Sequence, residues 1–342
     1  CNYITFPGVT KNLNWTMYSI VFDQEKSYLY INGEYFGETP DYGLNNCNTA
    51  APATKLLADL TLQYIGYRNT YSQRYYDGQM DEVAVYDRAL SGTEISARFD
   101  SLAMKFALHF EQGDWDGTAG EVLDSTAQGN NGTVFGNTAI AGNGSHLNAA
   151  FFDGAGDYIN LGDVEGLDAP PAMSIALWFN RTSDQAAATG HGINNVLISQ
   201  SDDVTNDNLE IGSEGTFVEL YLDSASGTDP LIRVDAGIVN DTWYHLVLTY
   251  DKDVANPLKL YINGALLGQW SDFSGALASS TTAPLTLGIA RPGGSAFPGG
   301  DYHGYLDEVL AYGYALSASQ IKTLYNGEFQ DSGLLPLSAY TY

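Results

Sequence analysis

The sequence contains few basic residues, and this deficit limits its partners. Its 342 residues include 14 Lys and Arg against 41 Asp and Glu, for a formal net charge of −27. A chain this acidic is repelled by nucleic acid phosphates and by anionic membranes. We therefore expect no nucleic acid partner. A solvated acidic surface suits a salty or calcium-containing medium, so we expect an extracellular or cell-surface location.

Long apolar runs and cysteines are also scarce. No segment approaches the ~18 uncharged apolar residues of a membrane-spanning helix, so direct membrane insertion is not expected. The two cysteines are Cys1 and Cys47. A disulfide between them fits an oxidising compartment, although their spacing does not demand one. Lipid attachment at Cys1 is the less favoured alternative.

What the sequence does contain is the pattern of β-strands. Only 16% of the residues are charged and 44% are hydrophobic, which excludes a disordered chain. Apolar residues alternate with polar ones in short segments such as 106–110, 173–179 and 285–289, as in strands with one buried face. Segment 259–264 (KLYING) ends in Asn-Gly, a strong hairpin signal. The pattern predicts an all-β fold.

An internal repeat organises these strands. Residues 15–23, 28–33 and 81–86 match residues 243–251, 259–264 and 307–312 in the same order. Each copy continues with a capping box, Ser91-x-x-Glu94 or Ser317-x-x-Gln320, which predicts a helix of about two turns.

The repeat also predicts the domain organisation. The second copy belongs to a module spanning 105–329, whereas only 14 residues precede Trp15 in the first copy. We therefore expect 1–104 to be the C-terminal half of a second such module, and 330–342 to be a tail or linker. A half sandwich exposes an unpaired edge, so we expect sequence before Cys1 or other subunits to complete it.

These motifs resemble those of one family. Segments 243–251, 260–264, 305–309 and 315–321, with the upstream motifs at 123–133 and 150–159, are similar to the LamG-like jelly roll of the concanavalin A-like lectin/glucanase superfamily. The resemblance implies tandem antiparallel β-sandwiches, each with two sheets of six or seven strands.

The resemblance also implies a structural calcium ion. Asp307 matches the family's metal-binding aspartate, and Asp124 and the Gly154 carbonyl are the implied co-ligands. Hard cations such as Ca²⁺ prefer carboxylate and carbonyl oxygens. The alternative is that both aspartates accept hydrogen bonds from backbone amides in turns, and the sequence leaves the two interpretations open.

A second group of residues is a candidate for ligand binding. Rim loops of laminin-type modules bind Ca²⁺ and sugar hydroxyls, and the acidic run at 202–208 contains Asp202, Asp203, Asp207 and Asn208. The alternative is an ordinary solvated loop. Trp270 is the candidate for stacking on a sugar ring. Trp243 begins a strand in both copies, so we expect it in the core.

No pattern of residues indicates catalysis. Glycoside hydrolysis needs two carboxylates that flank the sugar bond. Asp307 and Glu308 are adjacent, so we expect them on opposite faces of a strand. The other acidic pairs, Glu210 with Glu214 and Glu219 with Asp223, are interpreted as solvated acids at strand ends. The sequence therefore predicts no catalytic residue.

The function predicted from these features is binding. We expect a non-catalytic extracellular binding or adhesion protein that recognises glycans or surface proteins with calcium-stabilised modules. Two alternatives remain: a structural subunit of a surface filament, sheath or virion fibre, and the ancillary carbohydrate-binding part of a larger enzyme.

Overall fold

The structure is a computed structural model. It describes residues 16–22, 27–39, 65, 67–68, 74–76, 80, 83–185, 193–201, 207–223, 231–273, 277, 283–290 and 300–327. The chain divides into two compact units, Cys1–Phe99 and Asp100–Tyr342. The predicted module boundary at 104/105 stays a prediction. The predicted tail, 330–342, lies outside the described residues.

The first unit contains a meander of three strands. These are β1 (Tyr18–Phe22), β2 (Ser27–Ile31) and β3 (Glu34–Thr39), followed by the short pair β4 (Tyr67–Arg68) and β5 (Arg74–Tyr75). Helix α1 (Gly92–Ala103) comes next, and Ser91 Oγ accepts a hydrogen bond from the Glu94 backbone N–H at 3.2 Å. The predicted capped helix is confirmed, and at 12 residues it exceeds the two turns expected.

The second unit contains the remaining strands. They are β6 (Met104–Leu108), β7 (Thr133–Phe135), β8 (Ala139–Ala141), β9 (Ala149–Asp153), β10 (Tyr158–Gly162), β11 (Ala172–Arg181), β12 (Val196–Ser201), β13 (Asp207–Glu214), β14 (Phe217–Leu222), β15 (Ile232–Asp235), β16 (Tyr244–Asp251), β17 (Leu258–Ile262), β18 (Ala265–Trp270), β19 (Leu285–Leu287) and β20 (His303–Tyr312), followed by helix α2 (Ala318–Tyr325).

These strands form two antiparallel sheets. A seven-stranded sheet has the order β15-β14-β13-β12-β19-β10-β7, and an eight-stranded sheet has the order β18-β17-β16-β11-β20-β9-β8, with β6 also paired to β20. The predicted all-β fold is confirmed, and one sheet has a strand more than the six or seven expected.

The hydrophobic core contains the apolar residues of both sheets. Ile211 and Leu220 from the seven-stranded sheet and Ile175 and Leu246 from the eight-stranded sheet belong to one buried cluster. Side chains at alternate positions of the same strands lie on the two outer faces. These outer faces carry the acidic groups considered below.

Helix α2 covers part of the outer face of the eight-stranded sheet. Ile321 and Leu324 are fully buried and pack with Ala176, Val247 and Leu310 in a second hydrophobic cluster. The predicted capping box is confirmed, because Ser317 and Gln320 exchange both hydrogen bonds. No helix in the described part of the chain is long and apolar enough to cross a membrane.

This packing predicts the effect of shortening one helix side chain. Leu324→Ala leaves a cavity between α2 and the sheet, so we expect the free energy of unfolding to fall by about 2–5 kcal/mol. Urea unfolding monitored by circular dichroism measures this change. The control is Lys322→Ala on the exposed side of α2, which should shift stability by less than about 0.5 kcal/mol. Equal effects would contradict the docking of α2.

Candidate functional site

A group of carboxylates, two of them buried, lies on the outer face of the eight-stranded sheet, where β20 has a β-bulge. Ala176 and Trp178 on β11 pair with Leu310 and Asp307, so β20 contains one residue more than its partner. Glu308 has a positive φ of 48° at this point. A bulge interrupts the alternation of side chains along a strand.

The bulge corrects the expected orientation of the two acids. Asp307 lies opposite Trp178, on the side of the sheet that α2 covers, rather than in the main core. Glu308 Oε2 is 2.8 Å from Nδ1 of His109, which follows β6 on the same side. The prediction that Asp307 and Glu308 face opposite sides of the strand is therefore wrong, since the extra residue brings both carboxylates to one side.

Asp307 is held by two backbone N–H groups. Its Oδ2 accepts a hydrogen bond from the His146 backbone N–H at 2.8 Å, and its Oδ1 accepts one from the Glu308 backbone N–H at 2.8 Å. Burial, together with the charges of Glu308 and Glu111, raises the pKa of Asp307 to about 9. Such a site favours either a proton or a bound cation.

Glu111 is the third carboxylate of this group. Its two oxygens accept hydrogen bonds from the backbone N–H and the side-chain amide of Asn148, at 3.3 and 3.1 Å. Burial, with a contribution from the Glu308 charge, raises its pKa. Sequence reasoning missed Glu111, because only the fold brings the segment after β6 beside β20.

Asp124, a predicted metal ligand, accepts hydrogen bonds from its own turn and from β6. Its Oδ1 accepts hydrogen bonds from the backbone N–H groups of Ala107 and Thr126, at 3.0 and 2.9 Å. Its Oδ2 accepts from the Thr126 hydroxyl and the Asn130 backbone N–H, at 2.8 and 2.9 Å. The carboxylate thus fastens the turn after β6 to the sheet.

Gly154, the other predicted ligand, lies near the N-terminal end of β20, whereas Asp124 lies near its C-terminal half. It follows β9, where Asp153 pairs with His303, and a Cβ at this position would be 2.9 Å from the Cβ of His303. Asp124 is bonded to Ala107, which pairs with Leu310. Because a strand rises about 3.4 Å per residue, the structure does not bring Asp124, Gly154 and Asp307 together.

The other acidic pairs lie on the outer face of the seven-stranded sheet. Glu210 and Glu214 alternate with core residues on β13, and Glu219 lies beside them on β14. Glu210 is 0% exposed and Glu219 is 1% exposed, so the interpretation of these two as solvated acids is wrong. Arg233 approaches Glu214 at 2.9 Å and Glu219 at 3.5 Å.

The segment before β12 covers these acids. Asn194 donates its backbone N–H to Glu219 Oε2 at 3.1 Å and accepts the Ser213 backbone N–H at 2.9 Å. Asn195 Nδ2 donates to the Ser213 carbonyl at 2.8 Å. A Cβ at Gly212 would be 2.3 Å from the Asn194 carbonyl oxygen, so only glycine permits this close approach. We call residues 193–195 the roof segment.

The predicted ligand-binding residues are spread over different environments. Asp202 and Asp203 lie outside the described residues, as do Cys1 and Cys47 of the predicted disulfide. Asp207 begins β13, and Asn208 beside it is 4% exposed, with its Nδ2 3.5 Å from Gln200 Oε1.

The two tryptophans lie in different surroundings. Trp270 ends β18 and packs against the hydrophobic core, and a Cβ at Gly268 would be 2.6 Å from its ring. Trp243 precedes β16 and is partly exposed, with its ring centroid 6.3 Å from that of Tyr305. The expectation that Trp243 lies in the core is therefore wrong.

Comparison with known families gives one broad match. A laminin G profile, described as the concanavalin A-like lectin/glucanases superfamily, matches residues 3–96 and 153–322. No curated protein sequence matches the chain.

Two solved structures are similar to the chain at low sequence identity. One is domain 4 of AbnA, an extracellular GH43 arabinanase from Geobacillus stearothermophilus, in complex with arabinotriose: 22% identity, TM-score 0.47, covering 65% of this chain and 98% of that one. Another is the binding domain of Paraclostridial Mosquitocidal Protein 1: 16% identity, TM-score 0.50, covering 67% of this chain and 53% of that one. The chain thus spans about half of that toxin domain. At these identities the likeness concerns the fold alone.

The pKa of His245 tests whether the outer face of the eight-stranded sheet is buried around this residue. Burial, with a smaller contribution from His146, lowers its pKa to about 3. The unfolded chain therefore binds a proton below pH ~6.5 that the folded chain does not, so stability falls as the pH is lowered. Between pH 6.5 and 5, this proton binding lowers the free energy of unfolding by about 2 kcal/mol.

The measurement is urea unfolding of the wild type and of His245→Gln at about pH 7 and pH 5. Because other groups titrate equally in both proteins, the difference between them isolates His245. We expect the wild type to lose about 2 kcal/mol more than the variant on acidification. Equal losses would show that His245 is protonated in the folded protein.

Proposed function

Because the chain belongs to the concanavalin A-like lectin/glucanases superfamily, we propose that it is a non-catalytic extracellular protein that binds glycans. The fold is one that binding domains use, and the acidic composition supports an extracellular setting. Adhesion follows if the bound glycans belong to a cell surface.

The observation that carries the proposal is the burial of the paired carboxylates. A glycosidase presents two carboxyl groups to an open cleft, about 5 to 9.5 Å apart. Here Glu219 is bonded to the roof segment and to Arg233, and Glu210 beside it is fully buried. These acids act as structural groups, with no room for a sugar between them.

We further propose that calcium stabilises the second unit through Asp307 and Glu111. The raised pKa of each carboxyl group supports this, since a divalent cation would neutralise their charges in a buried place. In the described residues, no group of three or more His, Cys, Asp or Glu side chains is arranged to hold a metal ion. The ion would therefore also need backbone or amide oxygens, which Ca²⁺ accepts readily.

Thermal unfolding of the full chain with Ca²⁺ or with EGTA tests the metal. At 100 times its dissociation constant, an ion that binds only the folded state adds about 2.7 kcal/mol. We expect EGTA to lower the melting temperature of the wild type and to leave that of Asp307→Asn unchanged. Asp124→Asn is the matched control, which should lower stability yet keep the calcium response. A wild type that is indifferent to EGTA would contradict the proposal.

Incubation of the chain with polysaccharides tests the absence of catalysis. We expect no release of reducing sugar from β-glucan, arabinan or alginate above a heat-inactivated sample, because the paired acids Glu210 and Glu219 are buried. Glu219→Gln identifies the source of any activity that is found. Hydrolysis that this substitution abolishes would overturn the non-catalytic assignment.

A glycan array probed with and without Ca²⁺ tests binding itself. We expect retention of at least one class of oligosaccharide. A chain that binds no glycan under either condition would instead support a structural role.

A further inference from the structure

An open aromatic surface lies on the outer face of the eight-stranded sheet, beyond the part that α2 covers. Phe151 on β9 pairs directly with Tyr305 on β20, and their ring centroids are 4.9 Å apart. The Trp243 ring lies on the other side of Tyr305, with a centroid distance of 6.3 Å. We call Phe151, Tyr305 and Trp243 the aromatic platform.

Strand alternation explains why these rings are not part of the core. Their neighbours Phe152, Leu306 and Tyr244 are buried in the main cluster, so the platform side chains emerge on the opposite side of the sheet. All three platform residues are partly exposed. Burying aromatic surface is favourable, so an uncovered row of rings marks a place where a ligand gains free energy.

Polar groups border the platform. Asn180 pairs with Tyr305, and its Oδ1 is buried without a hydrogen-bond partner among the described residues. The oxygen is therefore an unused acceptor beside Tyr305. On the Phe151 side, His303 lies 6.0 Å from the ring and is bonded to the Ser183 hydroxyl at 2.8 Å.

The size and charge of the platform select its ligand. A fully buried aromatic side chain covers about 150–250 Å², so three rings that are already partly buried fall short of the ~800 Å² per partner of a stable protein interface. A chain with a net charge of −27 repels anionic ligands. A small, flat and neutral ligand with apolar faces and hydroxyl groups at its edges fits both conditions.

We propose that the aromatic platform binds one or two rings of a neutral carbohydrate. The C–H faces of the sugar stack on Tyr305 and Trp243, and a sugar hydroxyl donates a hydrogen bond to Asn180 Oδ1. This inference rests on the proposed glycan-binding function and gives that function a location. The platform lies on the sheet opposite to the one that carries the covered acids Glu210 and Glu219.

The test is a calorimetric titration of the full chain with neutral gluco-, manno-, galacto- and arabino-oligosaccharides. Trp243→Ala and Tyr305→Ala should each weaken binding by about tenfold or more. Asn180→Ala should weaken it less, and Trp243→Phe should keep most of the affinity. The matched control is Phe135→Ala, which removes a 41% exposed ring from the other sheet. Unchanged melting temperatures confirm that the variants fold.

Three outcomes are distinguishable. Loss of affinity in the platform variants but not in Phe135→Ala supports the inference. Binding that survives Trp243→Ala and Tyr305→Ala overturns the inference and leaves the proposed function intact. No binding of any oligosaccharide by the wild type, on the array or in the titration, overturns both.

Discussion

The shared hydrophobic core is the constraint on which the rest of the second unit depends. Each strand supplies every other side chain to this core, so the remaining side chains must lie on one of two outer faces. On the seven-stranded sheet the roof segment covers the part of the outer face around Gly212 and Glu219. On the eight-stranded sheet the outer face is divided between a helix, an acidic group and a partly exposed aromatic platform. Function follows from which of these areas a ligand can reach.

The acidic groups differ from one another in how their burial is compensated. Glu219 receives an N–H from the roof segment and faces Arg233, and Asp124 receives three hydrogen bonds within its turn and a fourth from Ala107 on β6. Asp307 receives two backbone N–H groups yet faces two further carboxylates. Because an uncompensated buried charge is costly, a cation beside Asp307 would add to stability.

Local signals predicted much of this fold. The Asn263-Gly264 turn has φ angles of 51° and 75°, as the Asn-Gly pair implies, and the Ser317 capping box begins α2 where expected. The bulge at Glu308 has no such signal, because it arises from pairing with a strand far away in the sequence. The burial of Glu210 and the exposure of Trp243 depend on long-range contacts in the same way. Alternation alone gives the face of a side chain and not what covers that face.

Carboxyl footprinting of the folded chain tests the central claim, which is that the paired acids are closed to substrate. A carbodiimide reagent modifies carboxylates that solvent reaches, and mass spectrometry identifies the modified residues. The account predicts that Glu165, which is exposed, reacts rapidly while Glu210 and Glu219 stay unmodified until the chain unfolds. Modification of Glu210 and Glu219 at the rate of Glu165 would contradict it, because that result would reveal an open pair of acids.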